Sequence, residues 1–523
     1  MRAYFGWTTL ALALAGGAGA AEAQTLKYMK ALDAPHYDGH RTTWGPAGDV
    51  ISMIQDTLVA LDWDGKTPIP YLAKSWEISP DGRTYTFKLR DDVQFCSGKK
   101  MTAADVVYSF DRQRNPETKS PFAWRAGNIK ELRAKDPYTV EYELNEPYSD
   151  LLLQLTMWNN AIHNKESVES LGKDYGVKGV DGTGPWCLVS WQPRTQTVLK
   201  RHDAYKWGPS MYKNPGPVKF EQMVITIVPE DSARIAAMMG NQFDFTNHIP
   251  LQFLAQARAA PNLLVQEAMP NFQLLYFGFK QNRPMVSDRR VREAMSIAIN
   301  RAAMVKGIMQ GNAEASPTYI HPSAPDYNPE TAGIVKEDVE RAKKLLDEAG
   351  WKPGPDGIRE KDGLKLAPKI YFTQVAYGPR IAEAIQGDLR KIGIDWKLQG
   401  WDSTIAAAKM AEQDYEVWSV TVPYLSAGDL MSLYFDSKNI PSPNRMNWND
   451  KETDEWLRLA KAAKNPAERA KYFGLVQKKV AEEHLWIPVF NVGMYLTTNK
   501  KLKGTRPHML YQYTFYKGLD WSY

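Results

Sequence analysis

Two cysteines, eight histidines and a few short glycine motifs are the residues of this chain whose types and spacing could do chemistry. A protein metal site needs His, Cys or acidic side chains that converge at ligand spacing. Here the histidines are scattered, only His36 and His40 stand four apart, and neither H-E-x-x-H nor a cysteine-rich zinc spacing occurs. No metal site is therefore expected. Gly182-Thr-Gly184 begins like a dinucleotide fingerprint, but Pro185 follows and Cys187 occupies the third glycine position. Gly65-Lys66-Thr67 ends like a phosphate loop, yet Ala60 stands at the first glycine position and Leu61-Asp-Trp-Asp64 is not glycine-rich. There is no G-x-S-x-G elbow. An exported hydrolase on an α/β scaffold, the main reading of another class, thus lacks a nucleophile with its base. The sequence implies neither catalytic residues nor a cofactor.

The elements that would position a site alternate strand and helix. Lys369-Ile-Tyr-Phe372, a helix carrying Ile381, Ala384, Ile385, Leu389 and Ile392 up to Gly393, and Ile394-Asp-Trp-Lys-Leu-Gln399 form a strand-helix-strand unit, which usually builds parallel sheet. The segment from Val286 onward reads as one helix. Asp288 caps its first turn, Val291, Met295, Ala298, Ala302 and Val305 recur at helical spacing, and Gly311 ends it. Between Ile78 and Phe110, Pro80-Asp81-Gly82 predicts a turn, Tyr85, Phe87 and Leu89 alternate as one face of a strand, and Thr102 with Asp105 predicts a capping-box helix start.

Four stretches together resemble the family 5 extracytoplasmic solute-binding proteins, the peptide-, nickel- and oligosaccharide-binding receptors of ABC importers. They are Asp288-Arg-Arg-Val-Arg-Glu-Ala-Met-Ser-Ile-Ala-Ile-Asn-Arg301, the Ile78–Phe110 block, Gly182-Thr-Gly-Pro-Trp186, and the helix Val339-Glu-Arg-Ala-Lys-Lys-Leu-Leu-Asp-Glu-Ala-Gly350. The resemblance implies an α/β, two-lobed periplasmic binding protein fold of type II-like form, with an extra subdomain inserted in the first lobe. On this chain the first lobe is expected at residues 24–60, 185–270 and 490–523, the insert at 61–184, and the second lobe at 271–489. It also implies a receptor that delivers a small solute to a membrane permease with its ATPase, acts as a monomer, and takes no nucleic acid.

The start of the chain agrees. Met1-Arg2, the apolar run Leu10–Ala15 and Ala21-Glu22-Ala23 read as a signal peptide over residues 1–23, cleaved before Gln24 to leave a soluble periplasmic protein. The chain as a whole is ordinary globular material, 43% hydrophobic and 24% charged, with a net charge of +5 and no basic cluster that would suit nucleic acid. An exported chain with just two cysteines usually pairs them, so Cys96 and Cys187 are expected to bridge insert and lobe, two separate buried thiols being the alternative.

The ligand is less legible. Peptide-binding members place an acid, within a D-Y-x-D-P-D-N-like segment, against the peptide's ammonium. Here Ser426 and Gly428 stand where acids would be, and only Asp429 remains nearby. Asp429 is the candidate ammonium partner, with a helix N-cap as its alternative role. Trp401, Trp418 and Tyr424, with Trp44 opposite in the first lobe, are candidate aromatic walls. A di- or oligopeptide is the expected solute, an oligosaccharide- or opine-like solute the second choice, and nickel the third.

Overall fold

The computed structural model describes residues 24–42, 45–268, 272–374, 377–508 and 517–523. The leader at 1–23 and Trp44 lie outside the described residues.

Two sheets organise the chain as an α/β, two-lobed molecule. A seven-stranded sheet runs in the order Leu263–Ala268, Met494–Asn499, Phe245–Thr246, Thr25–Lys30, Gln222–Ile227, Gln196–Arg201 and Trp186–Gln192. A six-stranded sheet runs Ala313–Ala315, Trp486–Val492, Gln273–Phe279, Val417–Pro423, Lys369–Thr373 and Lys397–Trp401. The chain passes between them twice, once after Ala268 and once at Gly493, where a Cβ would come 2.5 Å from the Tyr495 hydroxyl. The second passage lies three residues beyond the expected boundary, because Trp486–Val492 stays in the six-stranded sheet to its end.

A four-stranded antiparallel sheet, Ala73–Ile78, Thr84–Leu89, Thr139–Leu144 and Ile129–Asp136, forms a third unit. Tyr85, Phe87 and Leu89 point into one core that also holds Leu26, Met223 and Leu496 of the seven-stranded sheet, so this unit is packed onto the first lobe. Gly82 sits at φ +70 in the expected turn, and helix Ala103–Arg114 begins with the Thr102/Asp105 capping box. The Gly-Thr-Gly motif has a packing cause. A Cβ at Gly182 would fall 1.9 Å from the Ile54 carbonyl oxygen and one at Gly184 2.2 Å from that of Met53. Only glycine lets the segment before strand Trp186–Gln192 approach the end of helix Gly45–Ile54. The disulfide then forms between Cys96 and Cys187, with Cα atoms 5.8 Å apart.

In the second lobe the strand-helix-strand unit is present. Lys369–Thr373 and Lys397–Trp401 pair in parallel around helix Gly378–Arg390, and Gly393 turns the chain at φ +84. The segment after Val286 departs from expectation, because it is two helices, Arg289–Ile297 and Arg301–Gly307. Asn300 breaks it by accepting the Ala303 N–H as the cap of the second helix. The buried Arg301 guanidinium then donates to the buried carbonyls of Ser296, Val335 and Pro488. Gly311 still closes the segment, at φ +77.

Candidate functional site

The two lobes meet at charged side chains that the sequence leaves far apart. Helix Ala427–Phe435 starts at Ser426, whose hydroxyl accepts the Asp429 N–H at 3.0 Å. Ser426 is therefore the cap, and Asp429 is the third residue of the helix rather than its cap. Its carboxylate, 4% exposed, accepts the Leu425 N–H at 3.0 Å through one oxygen. The other oxygen accepts from Gln154 at 3.2 Å and faces Arg125 at 3.4 Å, both on the first-lobe side. The helix N-terminus adds a partial positive charge that suits a carboxylate there. Arg125 also donates to the Gln154 side-chain carbonyl and lies 4.5 Å over the Trp124 ring.

A second cluster lies one turn away. Arg469 of helix Pro466–Glu482 pairs with Asp150 at 3.2 Å and with Asp326 at 3.1 Å, and the Ser149 N–H donates to the Lys461 carbonyl. Burial pushes the Asp150 carboxyl up to about 6; Arg469 opposes this and Asp326 and Asp429 add to it.

Beside Asp429 the interface borders a partly open cavity of about 750 Å³. Phe122, Trp124, Arg125 and Tyr148 line it from the first-lobe side, and Asp429, Leu433, Pro443 and Arg445 from the second lobe. Its size and mixed aromatic and charged lining suit a small organic ligand. Each lobe supplies one wall of the cavity.

Of the residues expected to line the cleft, Trp418 is a core residue. It is fully buried, with its ring against Gly278, where a Cβ would come 2.4 Å from it, and edge-on to Tyr276 at 6.1 Å. Tyr424 is 2% exposed, stacks on Phe272 at 5.7 Å, and accepts the His321 N–H with its hydroxyl at 2.8 Å. Trp401 is half-buried at the end of its strand, edge-on to Tyr371 at 5.5 Å and under the Lys409 ammonium. None of the three lines the cavity beside Asp429. The side chains that meet its carboxylate are Arg125 and Gln154, with the Asp150–Arg469 pair nearby, and nothing in the local sequence marks them beyond an arginine set among Phe122 and Trp124.

On the first lobe, Lys30 ends the strand Thr25–Lys30 and pairs at 3.2 Å with Asp49 of helix Gly45–Ile54, and His248 lies 3.9 Å from the same carboxylate oxygen. Burial pushes the Lys30 ammonium down against the pull of Asp49. Burial also works against the Asp49 carboxylate, but Lys30 and His248 outweigh it and hold it below the usual range. This network sits at the carboxyl end of a parallel pair, where α/β sheets place ligands.

Two lobes built on separate sheets, crossed twice by the chain and closing on a cavity, define a two-lobed binding protein. The description "Bacterial extracellular solute-binding proteins, family 5 Middle" matches residues 67–442, and the chain belongs to that family. Its members bind small solutes and deliver them to ABC-transporter permeases outside the cytoplasm. The dipeptide-binding protein of Escherichia coli (strain K12) is 26% identical over 517 residues, 93% of each chain. Heme-binding protein A of Haemophilus influenzae is 28% identical over 464 residues, 84% of this chain and 82% of the other. The periplasmic binding protein DppA from Helicobacter pylori, in complex with the peptide STSA, superposes with a TM-score of 0.80 at 23% identity, covering 95% of this chain and 97% of that one. These relatives are binding proteins rather than enzymes. Among the described residues, no helix is long and apolar enough to cross a membrane.

Proposed function

We propose that this chain is a monomeric periplasmic receptor, freed by cleavage between Ala23 and Gln24, that closes its lobes on a di- or oligopeptide and presents it to an ABC permease with its ATPase. The observation that carries this is Asp429, a buried carboxylate on the wall of the interlobe cavity whose cationic partner, Arg125, stands at 3.4 Å. A peptide ammonium entering the cavity meets an anion already held by a helix N-terminus and a backbone N–H. The near-full-length likeness to a dipeptide-binding protein supports the same solute class. The second reading, an opine- or oligosaccharide-like solute, draws on the aromatic walls Phe122, Trp124 and Tyr148 and on Arg125 already occupying the carboxylate.

Calorimetric titration with the dipeptide Ala-Phe separates the two. On the peptide reading, Asp429→Asn weakens binding by about 1.5–3 kcal/mol, tenfold or more, through loss of a charge-assisted contact. Arg125→Met removes the competing internal cation and leaves the affinity equal or tighter. Ala-Phe that does not bind, or that binds Asp429→Asn as well as the parent, supports the second reading instead.

Closure also carries a pH dependence. Opening the interface returns Asp150 to water and its ordinary pKa of 3.8, whereas the closed form holds it at about 6. The raised carboxyl binds a proton on closing, so acid favours the closed form, in full below about 3.8 and lost as pH rises through about 6. Solute affinity at about pH 5 is expected to exceed that at about pH 7.5 by up to about tenfold, one pKa unit being a factor of ten. Asp150→Asn should flatten the profile, and a flat profile in the unmodified protein contradicts it.

A further inference from the structure

The Cys96–Cys187 bridge has a third neighbour. One ligating atom from each of Cys96, Cys187 and His202 lies within 4.8 Å of the others. His202 is 4% exposed, and its Nδ1 stands 2.9 Å from the Gly184 carbonyl oxygen. That carbonyl can only accept, so the Nδ1 is the donor, and in the neutral ring the Nε2 is the nitrogen left to ligate. Nε2 is buried and has no hydrogen-bond partner among the described residues. A buried acceptor left unpaired costs stability and calls for a cause. Anchoring one imidazole N–H on a backbone carbonyl is also how proteins orient a histidine that ligates metal through its other nitrogen.

We propose that the dithiol form of this chain holds a divalent transition metal, with zinc as the best match, through Cys96 Sγ, Cys187 Sγ and His202 Nε2, with water at the fourth position. Tetrahedral zinc with two sulfurs and one nitrogen sets ligand atoms about 3.3–3.8 Å apart; the two sulfurs part when the disulfide opens, and a His202 ring nitrogen lies within 4.8 Å of both. Cys96 is half-buried and Cys187 buried, so the open position faces the Cys96 side. The site is separate from the interlobe cavity and does not depend on the solute. It would keep the loop carrying Cys96 tied to the strand Trp186–Gln192 when the covalent bond is open. The chemistry balances. A phosphine reductant and one water yield phosphine oxide and two thiols, and the metal ion then displaces both thiol protons to form two metal–thiolate bonds.

The test uses the full mature chain, reduced with a water-soluble phosphine and titrated with Co²⁺. One equivalent is expected to bind, with a thiolate-to-cobalt charge-transfer band and the visible bands of a tetrahedral ion, both displaced by Zn²⁺. The oxidised chain should show neither. His202→Gln should bind at least tenfold more weakly, in line with losses seen when a ligand's support is removed, while its oxidised form melts as a folded protein. Cys96→Ser/Cys187→Ser should give no charge-transfer band. If reduction unfolds the chain, circular dichroism should show cobalt refolding it. A reduced chain that gives no such band, that stays unfolded with cobalt, or that binds cobalt equally well as His202→Gln overturns the proposal.

Discussion

Lys517→Met is expected to cost about 3–5 kcal/mol of unfolding free energy, the penalty for stranding one member of a buried ion pair. Lys517 and Asp56 are both fully buried and paired. The ammonium also donates to the Ser52 carbonyl at 2.6 Å, near the end of helix Gly45–Ile54, and this ties the C-terminal segment to the first lobe. Asp56 keeps Trp207 as a donor at 3.1 Å, together with Tyr71, but loses its only cation among the described residues. Burial already pushes the Lys517 ammonium down, so the pair survives on mutual compensation. Adding Asp56→Asn should recover part of the loss, since the amide needs no counter-charge, and the coupling is read from a double-mutant cycle of urea melts. A single-variant cost below about 1 kcal/mol, the range of an exposed pair, would show that Asp56 reaches water.

Removing the disulfide is the second large effect. Cys96→Ser/Cys187→Ser should lower stability by about 2–5 kcal/mol, because the bond closes a long loop and restricts the unfolded chain. The two residues are 91 apart in sequence and join the loop before helix Ala103–Arg114 to the strand Trp186–Gln192. The loss should appear in guanidinium melts as a lower midpoint. Solute affinity should change little, since neither cysteine lines the interlobe cavity. A double variant as stable as the parent contradicts this.

Much of the fold was legible because its signals are local. The turn at Pro80-Asp81-Gly82, the alternation of Tyr85, Phe87 and Leu89, the Thr102/Asp105 box and the parallel unit around Gly393 each depend on a few adjacent residues. The break at Asn300 was missed because its apolar spacing continues through the interruption. Only the cap and the carbonyls gathered by Arg301, one of them on Pro488, reveal it. A tryptophan near a candidate acid, as Trp418 is in the sequence, reads as a cleft wall. Its place against Gly278 is set by pairing between strands about 140 residues apart, which no local pattern encodes. The sequence singles out Asp429 but not its partners. Arg125 and Gln154 lie 304 and 275 residues away, and an ion pair between lobes leaves no periodic trace in a sequence.

A receptor that closes on a peptide should carry that peptide when it is isolated. Protein released from the periplasm of its own host under non-denaturing conditions should be analysed by native mass spectrometry, then denatured and its small-molecule fraction sequenced by fragmentation. One peptide of two or more residues per monomer is the predicted result, and Asp429→Asn material should carry less. A heme, a metal chelate or a sugar bound in its place, with no peptide, would contradict it.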